Sequence, residues 1–210
     1  MPHLVRAFTW ALDDEDWKAR LGILLLLSLV PGLNLIALTG YSVSIAHNIV
    51  RGATRPLPAW GDWIDILVRG LMALVASAAW FLPLALVLII IGLADVLTRG
   101  LPSALFACLV PLGLIYSAFA LAMLAAGHVR YARSDQYTDY YQVRRRFSEL
   151  RNNLGYYVPF VVLQVVLTSI ALVLFIVLSP TLLGGFAAFC ALSVANGYQL
   201  GMLARNARRR

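Results

Sequence analysis

Residues 51–63 read RGATRPLPAWGDW. This polar, proline-stiffened, aromatic stretch lies between long apolar runs. It is too short to be a domain and too polar to cross a lipid bilayer. Reading it as an interfacial connection between membrane helices decides the fold. Trp60 and Trp63 carry amphipathic rings that prefer the headgroup level. Pro56 and Pro58 stiffen the entry and stop the preceding helix. Asp62 and Asp65 open the next helix, where carboxylates suit the positive end of the dipole. Asp65 and Arg69 stand four apart, a spacing that pairs on one face.

Composition agrees with a membrane setting. Of 210 residues, 61% are hydrophobic and only 13% charged, against roughly 25% charged in soluble domains. Mean hydropathy is +0.80. A water-soluble fold of this size cannot hide so much apolar surface, so part of its solvent is lipid. Net charge is +7, and every basic residue except Lys18 is arginine. The arginines sit at the ends of apolar runs, which suits anionic headgroups and topology signals rather than nucleic acid. Cys108 and Cys190 fall inside apolar runs and read as small packing residues, with neither disulfide nor metal spacing. Asp13, Asp14, Glu15 and Asp16 stand where a cleavable signal would have its apolar core, so none is expected.

Residues 21–50, 70–94, 100–127 and 152–204 contain no Asp, Glu, Lys or Arg. One crossing needs about 20 apolar residues. Residues 70–94 and 100–127 each suffice, and Asp95–Arg99 joins them as a hairpin. Residues 152–204 are too long for one helix, and Ser179-Pro180 divides them into a second hairpin. Residues 21–50 are broken by Val30-Pro31-Gly32-Leu33-Asn34. They form either one kinked crossing or a re-entrant turn whose first piece is too short to span.

Charge asymmetry bears on that choice. Arg51 and Arg55, then Arg130, Arg133, Arg144, Arg145, Arg146 and Arg151, then Arg205, Arg208, Arg209 and Arg210 all fall on one face. The positive-inside rule makes it cytoplasmic, with the C-terminus. Re-entry adds Arg6, Lys18 and Arg20 to that face and is the preferred path. The expected fold is thus all-α and multi-pass, with two transmembrane hairpins and a kinked or re-entrant first segment. It forms one membrane domain over 1–210. An interfacial helix (1–20) leads to the first membrane segment (21–50) and an interfacial loop (51–63). A hairpin (64–130), a cytoplasmic amphipathic connection (131–155), a second hairpin (156–204) and a basic tail (205–210) follow.

A weak internal repeat runs through this plan. Phe8-Thr9-Trp10 with Asp13–Trp17, the 51–63 stretch, and residues 140–155 each place aromatic and charged residues before a hydrophobic hairpin. The exits also rhyme: Gly40-Tyr41 with Arg51, Gly127-His128 with Arg130, Gly197-Tyr198 with Arg205. Three units, each an interfacial element plus a hairpin, account for this pattern.

The acidic, Trp-bearing N-terminus, Gly40-Tyr41, Leu57-Pro58-Ala59-Trp60-Gly61-Asp62-Trp63 and Gly70 together resemble domain of unknown function family 4013. Arg130-Tyr131-Ala132-Arg133 through Phe147, Asn153 and Tyr157 extend the likeness over most of the chain. The family motif reads Leu-Pro-x-Trp followed by an acid. Gly61 departs from it, and Asp62 follows at once. The resemblance implies a prokaryotic, multi-pass α-helical membrane protein and implies no activity.

No nucleophile elbow, phosphate loop, metal motif or dinucleotide fingerprint is present, and no enzyme is expected. The spans carry no acid or base, which argues against a proton-coupled pump or a voltage sensor. Thr39 and, as a possible pore or polar lining, Asn34, Gln164, Asn196 and Gln199 are the polar candidates; interhelical hydrogen bonding is the plainer role. Ser193, Gly197 and Gly201 form a small-residue ridge for helix packing, within the chain or between chains. His47 and His128 are conceivable axial ligands to haem or a pigment, but backbone or headgroup hydrogen bonds explain them more simply, and no cofactor is expected. Arg144, Arg145, Arg146, Arg151, Trp60 and Trp63 are the interfacial lipid-binding candidates.

Two functions fit these residues. One is a non-enzymatic scaffold or accessory subunit of the cytoplasmic membrane, binding anionic lipid and a membrane-protein partner or a second copy, and no nucleic acid. The other is a channel or transporter for a small neutral solute, which requires Asn34, Gln164, Asn196 and Gln199 to converge on one cavity.

Overall fold

The computed structural model describes residues 7, 9–53, 57–98, 103–178 and 181–207. Arg6, Arg55, Pro56, Arg99, the Ser179-Pro180 break and Arg208, Arg209 and Arg210 lie outside them. The described residues form seven α-helices: α1 (Trp17–Ser28), α2 (Leu33–Arg51), α3 (Trp63–Thr98), α4 (Ser103–Ser134), α5 (Val143–Asn152), α6 (Leu154–Leu178) and α7 (Leu182–Ala207). Three 3-10 turns accompany them, at Trp10–Asp13, Trp60–Asp62 and Tyr137–Tyr140. Five helices are long and apolar enough to cross a membrane: α2, α3, α4, α6 and α7. The chain is a multi-pass helical membrane protein.

The Pro31-Gly32 pair breaks the first apolar run into α1 and α2, with Gly32 at φ +81°. Helix α1 has 12 residues, or about 18 Å of rise. The ends of this pair meet. Arg20, early in α1, donates to the Leu57 carbonyl beyond the end of α2, and its own carbonyl accepts from Trp60 Nε1 at 2.8 Å. Helix α2 ends at Gly52, whose φ is +74°. The Ala53 N–H reaches back to the Asn48 carbonyl at 3.0 Å, a left-handed cap that satisfies a terminal carbonyl. The stop is therefore this glycine, ahead of the prolines expected to supply it. Where an interfacial helix is expected over 1–20, the described residues hold the Trp10–Asp13 turn, and α1 begins at Trp17.

The inner helices are α2, α4 and α7, which all touch one another, while α3 and α6 are mostly exposed. Helices α2 and α7 run in the same direction. Ser193 donates to the Leu38 carbonyl, Gly197 lies against Ser42 and Ile45, and Gly201 against Ile49. The small-residue ridge of α7 is thus filled by α2 of the same chain. One core cluster joins Leu24, Tyr41, Ile45, Ile66 and Val194. A second joins Met123, Val129, Leu150, Tyr157 and Leu203.

The three-unit pattern has a physical counterpart. Each hairpin is preceded by a 3-10 turn carrying an aromatic residue, and each exit aromatic touches the turn of the next unit. Tyr41 stacks on Trp60 at 5.5 Å. His128 meets Tyr140 edge-on at 5.5 Å. Tyr198 closes the circle on Trp10 at 5.3 Å. Offset and edge-on pairs at such separations contribute ~0.5–1.5 kcal/mol beyond area burial. The exit glycines admit the partners: Gly40 packs on Ile66 of α3, Gly127 on Arg146 of α5, and Gly197 on α2.

Candidate functional site

Two places gather the polar residues. The first is the charged end of the bundle, where α2, α4 and α7 finish. Asp135, in a left-handed conformation at φ 58°, draws in three side chains from α2 and α3. Arg51 donates to it at 3.2 Å, Arg69 pairs with it at 3.5 Å, and His47 Nε2 stands 3.8 Å away. His47 Nδ1 lies 3.2 Å from the Ala132 carbonyl, a bond that requires the proton on Nδ1. Arg69 also donates to Asp65 at 2.8 Å, the expected four-residue pair. Arg133 donates to Glu149 at 3.1 Å and to the Ala204 carbonyl at 2.9 Å, tying α4 to α5 and α7. Arg130 donates to Asp139 at 2.8 Å, and the Ser134 hydroxyl donates to the same carboxylate. Burial raises the Asp139 carboxyl, but these two hydrogen bonds outweigh it and hold the group below its ordinary range.

Helix α5 lies across this end with two different faces. Arg146 and Leu150 are buried on one side. Arg144, Phe147 and Arg151 are exposed on the other, and Val143 and Arg145 are exposed near the start of the helix. Arg146 therefore does not join its neighbours as a headgroup ligand. It is 1% exposed, donates through Nε at 2.9 Å and through Nη2 to the Met123 carbonyl, and through Nη1 to the Tyr140 carbonyl. Its guanidinium also stands 5.2 Å over the Trp80 ring. Burial pushes the Arg146 guanidinium down to about 10, still charged at neutral pH. The physical reason for the inward turn is helical phase: residues 146 and 150 share a face, and Gly127 leaves bare backbone beneath it. The expected tryptophan pair also divides. Trp63 is 53% exposed, whereas Trp60 is packed on Tyr41.

The second place is an open pocket of about 140 Å³ between α2, α4, α6 and α7. Thr39, Ser42, His128, Gln164, Ser193 and Asn196 are its polar lining, among leucines, Val43 and Phe189. The Ser193 hydroxyl is engaged with Leu38. Ser42 Oγ, His128 Nε2, Gln164 Oε1 and Asn196 Oδ1 are buried without a hydrogen-bond partner. Of the four residues expected to converge, Gln164 and Asn196 do. Asn34 instead accepts the Leu35 N–H at 2.7 Å beside the α1–α2 turn. Gln199 has both amide atoms buried and unpartnered, yet lies outside the cavity lining. Sequence reasoning missed Ser42, although it stands three residues from Thr39 on one face of α2. His128, expected to bond backbone or headgroups, instead lines this pocket with Nε2 unpartnered. The pocket is smaller than the ~300–1,000 Å³ of ligand pockets. Among the described residues, no three or more His, Cys, Asp or Glu group as a metal site would.

No curated protein and no solved structure matches the chain. A family model does, over residues 23–180, taking in the first hairpin, the Leu-Pro-Ala-Trp box and all of α6. The chain belongs to this family, described as protein of unknown function, DUF4013.

Proposed function

We propose that the protein is a non-enzymatic scaffold or accessory subunit of the cytoplasmic membrane that holds anionic lipid along α5. One observation carries this reading: exposed Val143 and Phe147 lie beside exposed Arg144 and Arg151 on the same stretch of helix. Apolar side chains at that level enter the acyl boundary, and neighbouring arginines reach phosphate oxygens. Arg145 adds a third cation, while Arg146 clamps the helix to the bundle and fixes the direction of its outer face. In this reading the α1–α2 pair re-enters, because Arg20, Leu57 and Trp60 meet at one level. The basic ends of α2, α4 and α7 then share the cytoplasmic side.

The test is lipid retention by the purified full-length chain. Native mass spectrometry after extraction from phosphatidylglycerol and phosphatidylcholine mixtures reads the bound lipid directly. The Arg144→Gln, Arg145→Gln, Arg151→Gln triple variant is expected to lose the anionic lipid selectively. Unchanged retention of phosphatidylglycerol removes the proposal. A stoichiometric membrane protein co-extracted from native membranes would support the accessory-subunit part.

The second reading, a channel or transporter for a small neutral solute, is favoured by the shared cavity of Gln164 and Asn196. Asn34 and Gln199 stand apart from it, so only half of the required convergence is present.

A further inference from the structure

Four buried polar atoms without partners in one small cavity need a physical account. Each orphaned group costs about 1–3 kcal/mol of desolvation, a cost that a bound molecule or water can relieve where several such groups face one pocket. The cavity is lined by hydroxyls, carboxamides and an imidazole, with no acid, lysine or arginine among the lining residues. An ion entering it would lose its hydration shell with no opposite charge in the wall. The Arg146 guanidinium packs on Gly127 beside His128 and opposes a cation.

We propose that this cavity binds a small uncharged molecule of the polyol or short-amide class. Ser42 and His128 can each donate or accept, and the Gln164 and Asn196 carboxamides offer both functions in fixed directions. A water position takes roughly 10–15 Å³ of such space. A volume of about 140 Å³ therefore takes a molecule of a few heavy atoms. The apolar remainder of the wall, with Leu38, Leu192 and Phe189, suits its carbon side. The walls are preorganised, because the Ser193–Leu38 bond and the Gly197 contact hold α2 against α7. Interhelical glue is the competing role for such residues; Ser193 plays it, whereas Ser42 Oγ, His128 Nε2, Gln164 Oε1 and Asn196 Oδ1 bond no other residue.

The experiment uses the full-length protein in detergent micelles, with acetamide and glycerol as probes read by saturation-transfer NMR. A saturable signal from one of them is expected with the wild type. The Gln164→Leu, Asn196→Leu double variant weakens binding by roughly tenfold or more, and the milder Ser42→Ala by about fivefold. The double variant is also at least as heat-stable as the wild type, since it removes orphaned polar atoms. Absence of a saturable signal from both probes overturns the proposal and leaves a pocket for water. Equal signals in wild type and variants overturn it as well. A double variant less stable than the wild type marks the carboxamides as packing groups and also overturns it.

Discussion

The Arg146 guanidinium lies flat against the backbone of Gly127, and a Cβ there would meet Nε, Cζ and Nη2 at 3.0–3.1 Å. The guanidinium has nowhere to go, since the Met123 carbonyl holds it on one side and the Tyr140 carbonyl on another. Gly127→Ala is expected to cost ~1–3 kcal/mol through overpacking. Arg146→Met costs ~2–3 kcal/mol by removing charge-assisted bonds from buried carbonyls. Arg146→Lys does not rescue it, because an ammonium cannot reproduce the planar fork. Thermal unfolding of the purified protein in detergent measures all three. A Gly127→Ala protein as stable as the wild type would show that this contact does not hold α5 in place.

Asp139 supplies a pH dependence with a definite sign. Its carboxyl is held below the ordinary range in the folded protein by Ser134 and Arg130. The stabilisation is complete above the unfolded pKa, about 3.9. It is lost as pH falls through the lower folded value. The wild type should therefore lose stability on acidification, and Asp139→Asn should show a flatter curve with lower stability at neutral pH. Denaturation midpoints across a pH series decide it. Parallel curves for the two proteins would mean that the carboxylate contributes nothing.

The membrane helices were legible because charge-free length is itself the physical requirement for crossing lipid. The Pro31-Gly32 break was legible for the same kind of reason, since both residues act on the backbone locally. Arg146 was not legible beside Arg144 and Arg145. Three consecutive arginines look alike in sequence, and only the 100° step between them, set against a packed neighbour, separates the buried one. Ser42 was hidden differently. A serine in an apolar run reads as a packing residue until Gln164 and Asn196 arrive from helices more than a hundred positions away. The glycine-aromatic exits were visible as a rhyme, but their meaning lay in the partners: Trp60 for Tyr41, Tyr140 for His128 and Trp10 for Tyr198.

Trp60 and Trp63 look equivalent as interfacial anchors, and the structure separates them. Trp60 donates to the Arg20 carbonyl at 2.8 Å and stacks on Tyr41, whereas Trp63 is exposed. Trp60→Phe should cost ~1 kcal/mol for the lost hydrogen bond. Trp63→Phe should stay within about 0.5 kcal/mol of wild type. Unfolding in detergent, which removes the bilayer's own preference for tryptophan, is the suitable measurement. Equal losses at both positions would contradict the division.

Gly40 and Gly70 mark a close approach of the α2 and α3 backbones. A Cβ on Gly40 would strike the Ile66 carbonyl oxygen, and one on Gly70 the Ile36 carbonyl oxygen. Backbone carbonyls in a helix cannot swing aside as a side chain can, so α2 and α3 would have to separate. Gly40→Ala and Gly70→Ala should each cost at least ~3 kcal/mol, the upper end of ordinary overpacking. Gly22 in α1 and Gly92 in α3 have nothing within 4 Å of such a Cβ. There the same substitution should be neutral or stabilising by up to ~1 kcal/mol, because alanine restricts the unfolded chain and favours the helix. Four single variants, unfolded under one set of conditions, give opposite signs for the two pairs if the crossing is as close as described. Loss at Gly22 and Gly92 equal to that at Gly40 and Gly70 would mean that alanine is disfavoured for reasons unrelated to the α2–α3 contact.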